Sequence, residues 1–131
     1  MIDRDYAGSG IYRENIMDHY KNPRNHGIIG NPSIKYFDTN PVCGDEVTIY
    51  LELNGDTIKD IKFTGRGCAI SQSAISILSE EVKNQKIEDV LKLDKEYIKK
   101  LLGIELSAIR IKCATLGLNA LKKGLIKNVR N

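Results

Sequence analysis

Apolar positions along this chain change their period several times, and each change predicts an element. Ile11, Tyr12, Ile16, Met17 and Tyr20 recur at helical spacing before Pro23, which predicts a short amphipathic helix behind a flexible N-terminal arm over residues 1–10. "PRNHGIIGNP" is too rich in Gly, Pro and Asn for anything but a loop. Three strands follow, "SIKYFDT", "VTIYLEL" and "IKDIKFT". In the second, Val47, Ile49, Leu51 and Leu53 share one face, whereas Ile58, Ile61 and Phe63 in the third do not alternate strictly. Asn54-Gly55 between them predicts a hairpin turn, since both residues tolerate positive φ.

After the Gly-rich bend "TGRGC" the period becomes helical again, with Ile70, Ala74, Ile77, Leu78 and Val82 on one stripe and Cys68 at the helix start. "KIEDVLKLDKEYIKKLLG" predicts two short helices broken near Leu93-Asp94 and stopped at Gly103. A last helix is expected from about Glu105 to Ile126, its apolar face carrying Leu106, Ile109, Cys113, Leu116, Ala120 and Leu121. The fold class is therefore α+β: a small three-stranded antiparallel sheet with helices packed on one face, in a single domain over residues 1–131.

Composition narrows the function more than the fold. A 41% hydrophobic content with 11 Gly and 3 Pro fits a folded globule. The net charge of +3, from 20 basic and 17 acidic residues, is spread along the chain, and with 8 aromatic side chains and no Trp there is no stacking platform, so nucleic acid is not expected as a partner. No apolar run reaches the ~18 residues needed to cross a bilayer, and "MIDRDYAGSGIY" is unlike a signal peptide, so a cytoplasmic protein without membrane contact is expected. Its 3 cysteines cannot all pair. In a reducing compartment an odd set of thiols points to metal binding, sulfur chemistry or simple burial.

Each cysteine sits on a different element, one approaching the hairpin, one at a helix start and one inside the last helix. Cys68 suits a reactive thiol, because free N–H groups and the helix dipole favour thiolate and Arg66 adds a cation nearby. Cys113 lies on an apolar stripe, where a plain core cysteine would look the same. Its neighbour Lys112 points about 100° away on a helix and so faces solvent or a partner. Cys43 and Asp45 are two residues apart, which in an extended segment returns both side chains to one face. Cys43, Asp45, Cys68 and Cys113 together make four donors, the number that a tetrahedral zinc or an iron–sulfur centre takes, and the harder carboxylate is the natural point of exchange among thiolates. His19 and His26 read as surface imidazoles. "DHYKNPRN", with Tyr20 and Arg24, reads as a partner-facing surface.

Four segments in order, "IMDHYKNPRN", "NPVCGDEV", "GRGCAIS" and "KCATLGLNALKKG", resemble the iron–sulfur cluster assembly scaffolds of the IscU, SufU and NifU N-terminal type, over residues 11–127. The resemblance implies that family's α+β fold and a protein that accepts sulfur from a pyridoxal-phosphate (PLP)-dependent cysteine desulfurase. It implies a zinc ion or a [2Fe–2S] cluster (iron) held by Cys43, Asp45, Cys68 and Cys113, with Cys43 or Cys113 as persulfide acceptor, and delivery to cluster-acceptor proteins. Lys112 stands where IscU-type members have histidine, and "LSAIR" replaces the Leu-Pro-Pro-Val-Lys segment gripped by a dedicated chaperone, which argues against that chaperone as a partner. The motif wording resembles SufU, whereas the short stretch between the second and third cysteines resembles IscU in length. Two alternatives stand beside a cluster scaffold. One is a zinc-dependent sulfurtransferase that relays sulfur without holding a cluster; the other, of a different class, is a closed structural-zinc module. A cysteine enzyme lacks a base, since neither histidine is tied to a cysteine by any motif.

Overall fold

The computed structural model describes residues 2–130, with side chains described over residues 10–128. In chain order the elements are α1 (Ile2–Lys21), β1 (Ile34–Asn40), β2 (Asp45–Asn54), β3 (Thr57–Arg66), α2 (Ala69–Val82), α3 (Ile87–Leu91), α4 (Lys95–Leu102), α5 (Ala108–Ala114) and α6 (Leu116–Arg130). The strands form one antiparallel sheet in the order β1-β2-β3. The expected arm over residues 1–10 falls mostly on side chains outside the described ones, and its backbone continues α1 back to Ile2.

The irregular apolar pattern of β3 has a specific cause. Glu52 pairs with Asp60 but Leu53 pairs with Ile58, so Lys59 bulges out of the ladder. One extra residue restores the face: Ile58 and Ile61, three apart, are both fully buried, and so is Phe63. The strand pairing also corrects the expected turn. Asn54 pairs with Thr57, so the two-residue loop is Gly55-Asp56 rather than Asn54-Gly55, with Gly55 at φ +62°. The loop after α1 covers the outer edge of β3, where Phe63 donates to the Asn25 carbonyl and Gly27 to the Phe63 carbonyl.

α2 is the centre of the molecule. Its apolar residues Ile70, Ala74, Ile75, Ile77, Leu78 and Val82 are buried, and so are Ser71, Ser73, Ser76 and Ser79, as expected of a helix enclosed on all sides. α1, α4, α5, α6 and β3 surround it, while α6 packs on β1 and β2. The short helices α3 and α4 break where expected, with Asp94 accepting from the Tyr97 N–H as N-cap and Gly103 closing α4 at φ +69°.

Two helix expectations need correction. The last helix is two helices, starting at the N-cap Ser107 rather than Glu105 and bending at Thr115, whose hydroxyl donates to the Ile111 carbonyl at 2.9 Å. Such a bond to the preceding turn bends helices. Ile109, placed on the apolar stripe by sequence, is 59% exposed, because the stripe that packs starts at Cys113.

His19 is the other correction, for it is buried rather than a surface imidazole. The small Ser76 side chain lets α1 approach α2, and its Oγ lies 2.7 Å from His19 Nδ1 while accepting the Arg24 N–H at 2.8 Å. Burial, and after it the Arg24 charge, lowers the His19 pKa below its ordinary 6.5, although Glu80 and Asp18 oppose the shift. The unfolded chain therefore takes up this proton more readily than the folded one. Stability is full above about pH 6.5 and is lost as pH falls through the lower folded value. Denaturant midpoints measured across this range should decline on acidification, and His19→Gln should flatten the decline; an unchanged slope would clear His19 of the effect. Arg24, anchored by Ser76 and paired with Asp18, is part of this junction, whereas Tyr20 is exposed.

Candidate metal centre

Asn40 lies opposite Asp45 in the β1–β2 ladder, so residues 41–44 form the tip of that hairpin. The Cys43 and Gly44 N–H groups both donate to the Asn40 carbonyl, at 3.2 and 2.8 Å, and Gly44 takes φ +73°. Cys43 thus sits within the first hairpin's turn, not in an extended approach to it. The turn, rather than alternation along a strand, brings its sulfur beside Asp45.

Asp45 opens β2 and is only 3% exposed. Its Oδ1 accepts the Cys68 N–H at 3.2 Å, and its Oδ2 lies 3.5 Å from Cys68 Sγ. Cys68 is the N-cap of α2, exposed, and its sulfur accepts the Ser71 N–H at 3.4 Å, so the Gly-rich bend does place a thiol at the free N–H groups of a helix start. Cys113 comes from α5, two residues before the bend at Thr115, and is buried.

Donor atoms of Cys43, Asp45 and Cys113 all lie within 4.8 Å of one another. Cys68 joins them through its contacts with Asp45. For comparison, ligand atoms around a tetrahedral zinc with Zn–S near 2.3 Å stand roughly 3.5–3.8 Å apart, so the spacing of Cys43, Asp45 and Cys113 is compatible with three ligands of such an ion, and their thiolate chemistry suits zinc or a cluster. Burial pushes the Cys113 thiol well above its ordinary pKa of 9.0; the hydrogen bond with Cys43 and the negative charges at Cys68, Cys43 and Asp45 push it further. Cys113 therefore keeps its proton until a cation replaces it.

Of the four residues singled out from sequence, the fold brings Cys43, Asp45 and Cys113 into one group, and Cys68 lies against Asp45 at its margin. Lys112 is exposed and turned from the buried Cys113, as neighbours on a helix must be. Three contributors were not foreseen: Asn40, whose Nδ2 lies 3.5 Å from Cys43 Sγ, Ser71, which donates to Cys68, and Gly67, where a Cβ would come within 2.5 Å of Asp45 Oδ1. The Asn-Pro pair and the repeated glycine were visible as turn signals, but which sulfur or carboxylate they would face depends on strand pairing.

The family model described as the NifU-like N-terminal domain matches residues 11–130. The chain belongs to that family. Among its relatives, the zinc-dependent sulfurtransferase SufU of Bacillus subtilis is 41% identical, over 89% of this chain and 90% of its own length. Their alignment runs to 134 positions, longer than the 131 residues of this NifU-like chain, so SufU carries residues that this chain lacks. The iron–sulfur cluster assembly scaffold protein IscU 1 of Archaeoglobus fulgidus is 34% identical over 92% of this chain and 78% of its own. Among solved structures, the putative SUF-system scaffold from Fervidobacterium islandicum superposes with a TM-score of 0.74 at 31% identity, covering 86% of this chain and 94% of that one. The α+β architecture expected from the apolar pattern is the family's architecture. Among the described residues, no helix is long and apolar enough to cross a membrane.

Proposed function

We propose that this NifU-like chain accepts sulfur from a PLP-dependent cysteine desulfurase at Cys43 and serves iron–sulfur cluster assembly, using Cys43, Asp45, Cys68 and Cys113 as its metal centre. The observation that carries the reading is the convergence of Cys43, Asp45 and Cys113 donors within 4.8 Å, with Cys68 against the same carboxylate. Zinc bound there would supply the positive charge that keeps these thiols ionised. Access favours Cys43 over Cys113 as the acceptor. Cys43 is half-buried beside the 63%-exposed Val42, whereas Cys113 is 4% exposed and its thiol holds its proton firmly.

In the transfer, the Cys43 thiolate attacks the terminal sulfur of the desulfurase persulfide. An S–S bond forms to Cys43 as the desulfurase's own S–S bond breaks, and the electron pair leaves on the desulfurase thiolate. Likeness to a zinc-dependent sulfurtransferase favours relay of that sulfur to an acceptor protein, and likeness to IscU favours assembly of a [2Fe–2S] cluster in place. A closed structural-zinc module fits less well, because Cys68 is exposed and Cys43 is partly so.

The test is incubation with a cysteine desulfurase and cysteine, followed by peptide mass spectrometry under non-reducing conditions. One added sulfur atom is expected on the Cys43 peptide and none in Cys43→Ala. Undiminished uptake by Cys43→Ala would move the acceptor elsewhere, and no uptake by the native chain would overturn the function.

A further inference from the structure

Asn40 directs nearly every polar group it has at the Cys43 turn. Pro41 has no N–H, and the turn's remaining three all bond to Asn40: Val42 to its Oδ1 at 3.1 Å, Cys43 and Gly44 to its carbonyl at 3.2 and 2.8 Å. No backbone donor of the turn is then left for the Cys43 sulfur. The Asn40 carboxamide supplies one, with Nδ2 at 3.5 Å from Sγ, and the side chain is held in place by being in a residue only 8% exposed. An Asx turn needs the acceptor half of this side chain alone, so the donor half has a separate role.

We infer that Asn40 is a positioning residue of the metal centre, its N–H···S bond holding the Cys43 sulfur toward Asp45 and Cys113 before a metal arrives. The inference rests on the metal-centre reading above. A donor to a ligand sulfur fixes the sulfur's direction and draws electron density from it, so its removal alters both the affinity of the site and the spectrum of a bound metal.

Two substitutions separate this role from turn building. Asn40→Asp keeps an acceptor for the Val42 N–H and removes the donor; Asn40→Ser keeps a short acceptor, adds no charge and cannot reach the sulfur. Zinc affinity by chelator competition, the thiolate-to-cobalt charge-transfer band of the cobalt-loaded chain and the melting of the metal-free chain would be measured on both variants and on the native protein. The expected result is an affinity loss of about 10- to 100-fold, the range typical of lost outer partners, with the cobalt band moved to lower energy and metal-free melting unchanged. Affinities within about threefold of native in both variants would overturn the inference. So would an affinity loss that tracks lowered metal-free melting while the cobalt band stays in place, or failure of both variants to fold, since either makes Asn40 a turn residue only. A native chain that binds no zinc and no cobalt overturns the metal-centre reading and this inference with it; native binding with unaltered variants overturns the inference alone.

Discussion

Cys113→Ser is expected to lower zinc affinity by more than about 100-fold while leaving the metal-free chain folded. Loss of an outer partner already costs about 10- to 100-fold, so loss of a thiolate donor itself should exceed that range. Serine nearly matches cysteine in size, and its hydroxyl inherits a neighbour, Cys43, that already shares a hydrogen bond with the thiol. The fold should therefore survive. The same thiol gives zinc binding a pH dependence. Burial first, then the Cys43 hydrogen bond and the surrounding negative charges, hold its proton on at neutral pH, and that proton must leave when a metal takes the sulfur. Native affinity should accordingly weaken on acidification more steeply than in Cys113→Ser. Chelator competition at several pH values reads both effects, and native-like affinity in the variant would remove Cys113 from the centre.

The sequence carried much of this arrangement because its signals were local. An apolar run changing from period two to helical spacing at Ala69 marks a strand-to-helix junction, and a cysteine at that junction is at a helix N-terminus whatever the tertiary fold does. The break at Asp94 and the stop at Gly103 were legible for the same reason. What was not legible depends on partners distant in the chain. His19 reads as a surface residue until Ser76, 57 positions away, is known to face it. The hairpin turn at Gly55-Asp56 is set by Asn54 pairing with Thr57, and the bulge at Lys59 likewise belongs to the pairing of two strands rather than to either alone. Ile109 fitted the helical period yet lies exposed, since the chain before α5 enters as a loop and the buried stripe starts a turn later. For the site, residue types offered four candidate donors; that the Cys43 turn meets Asp45 follows from Asn40 opposing Asp45, and no local pattern states a register.

Gly67→Ala should damage the metal centre almost as much as removing a donor, although Gly67 has no side chain to offer. A Cβ there would lie 2.5 Å from Asp45 Oδ1, 2.6 Å from Asp45 Cγ and 2.8 Å from Ser71 Oγ, all closer than non-bonded atoms tolerate. Asp45 cannot simply swing aside. It is buried, its Oδ1 holds the Cys68 N–H, and its backbone is fixed opposite Asn40 in the ladder. The methyl group therefore displaces the carboxylate or the start of α2, and either movement spoils the contact between Asp45 and Cys68. Zinc affinity should fall by about 10- to 100-fold, with a stability cost of about 1–3 kcal/mol for the overpacking. Gly30→Ala is the control, since a Cβ at Gly30 meets nothing within 4 Å and should change neither quantity. A double-mutant cycle locates the cause. If the methyl group acts by displacing Asp45, then in an Asp45→Ala background, which leaves room for it, Gly67→Ala should cost little further affinity. Additive losses would instead assign the damage to the Cys68 cap and the first turn of α2.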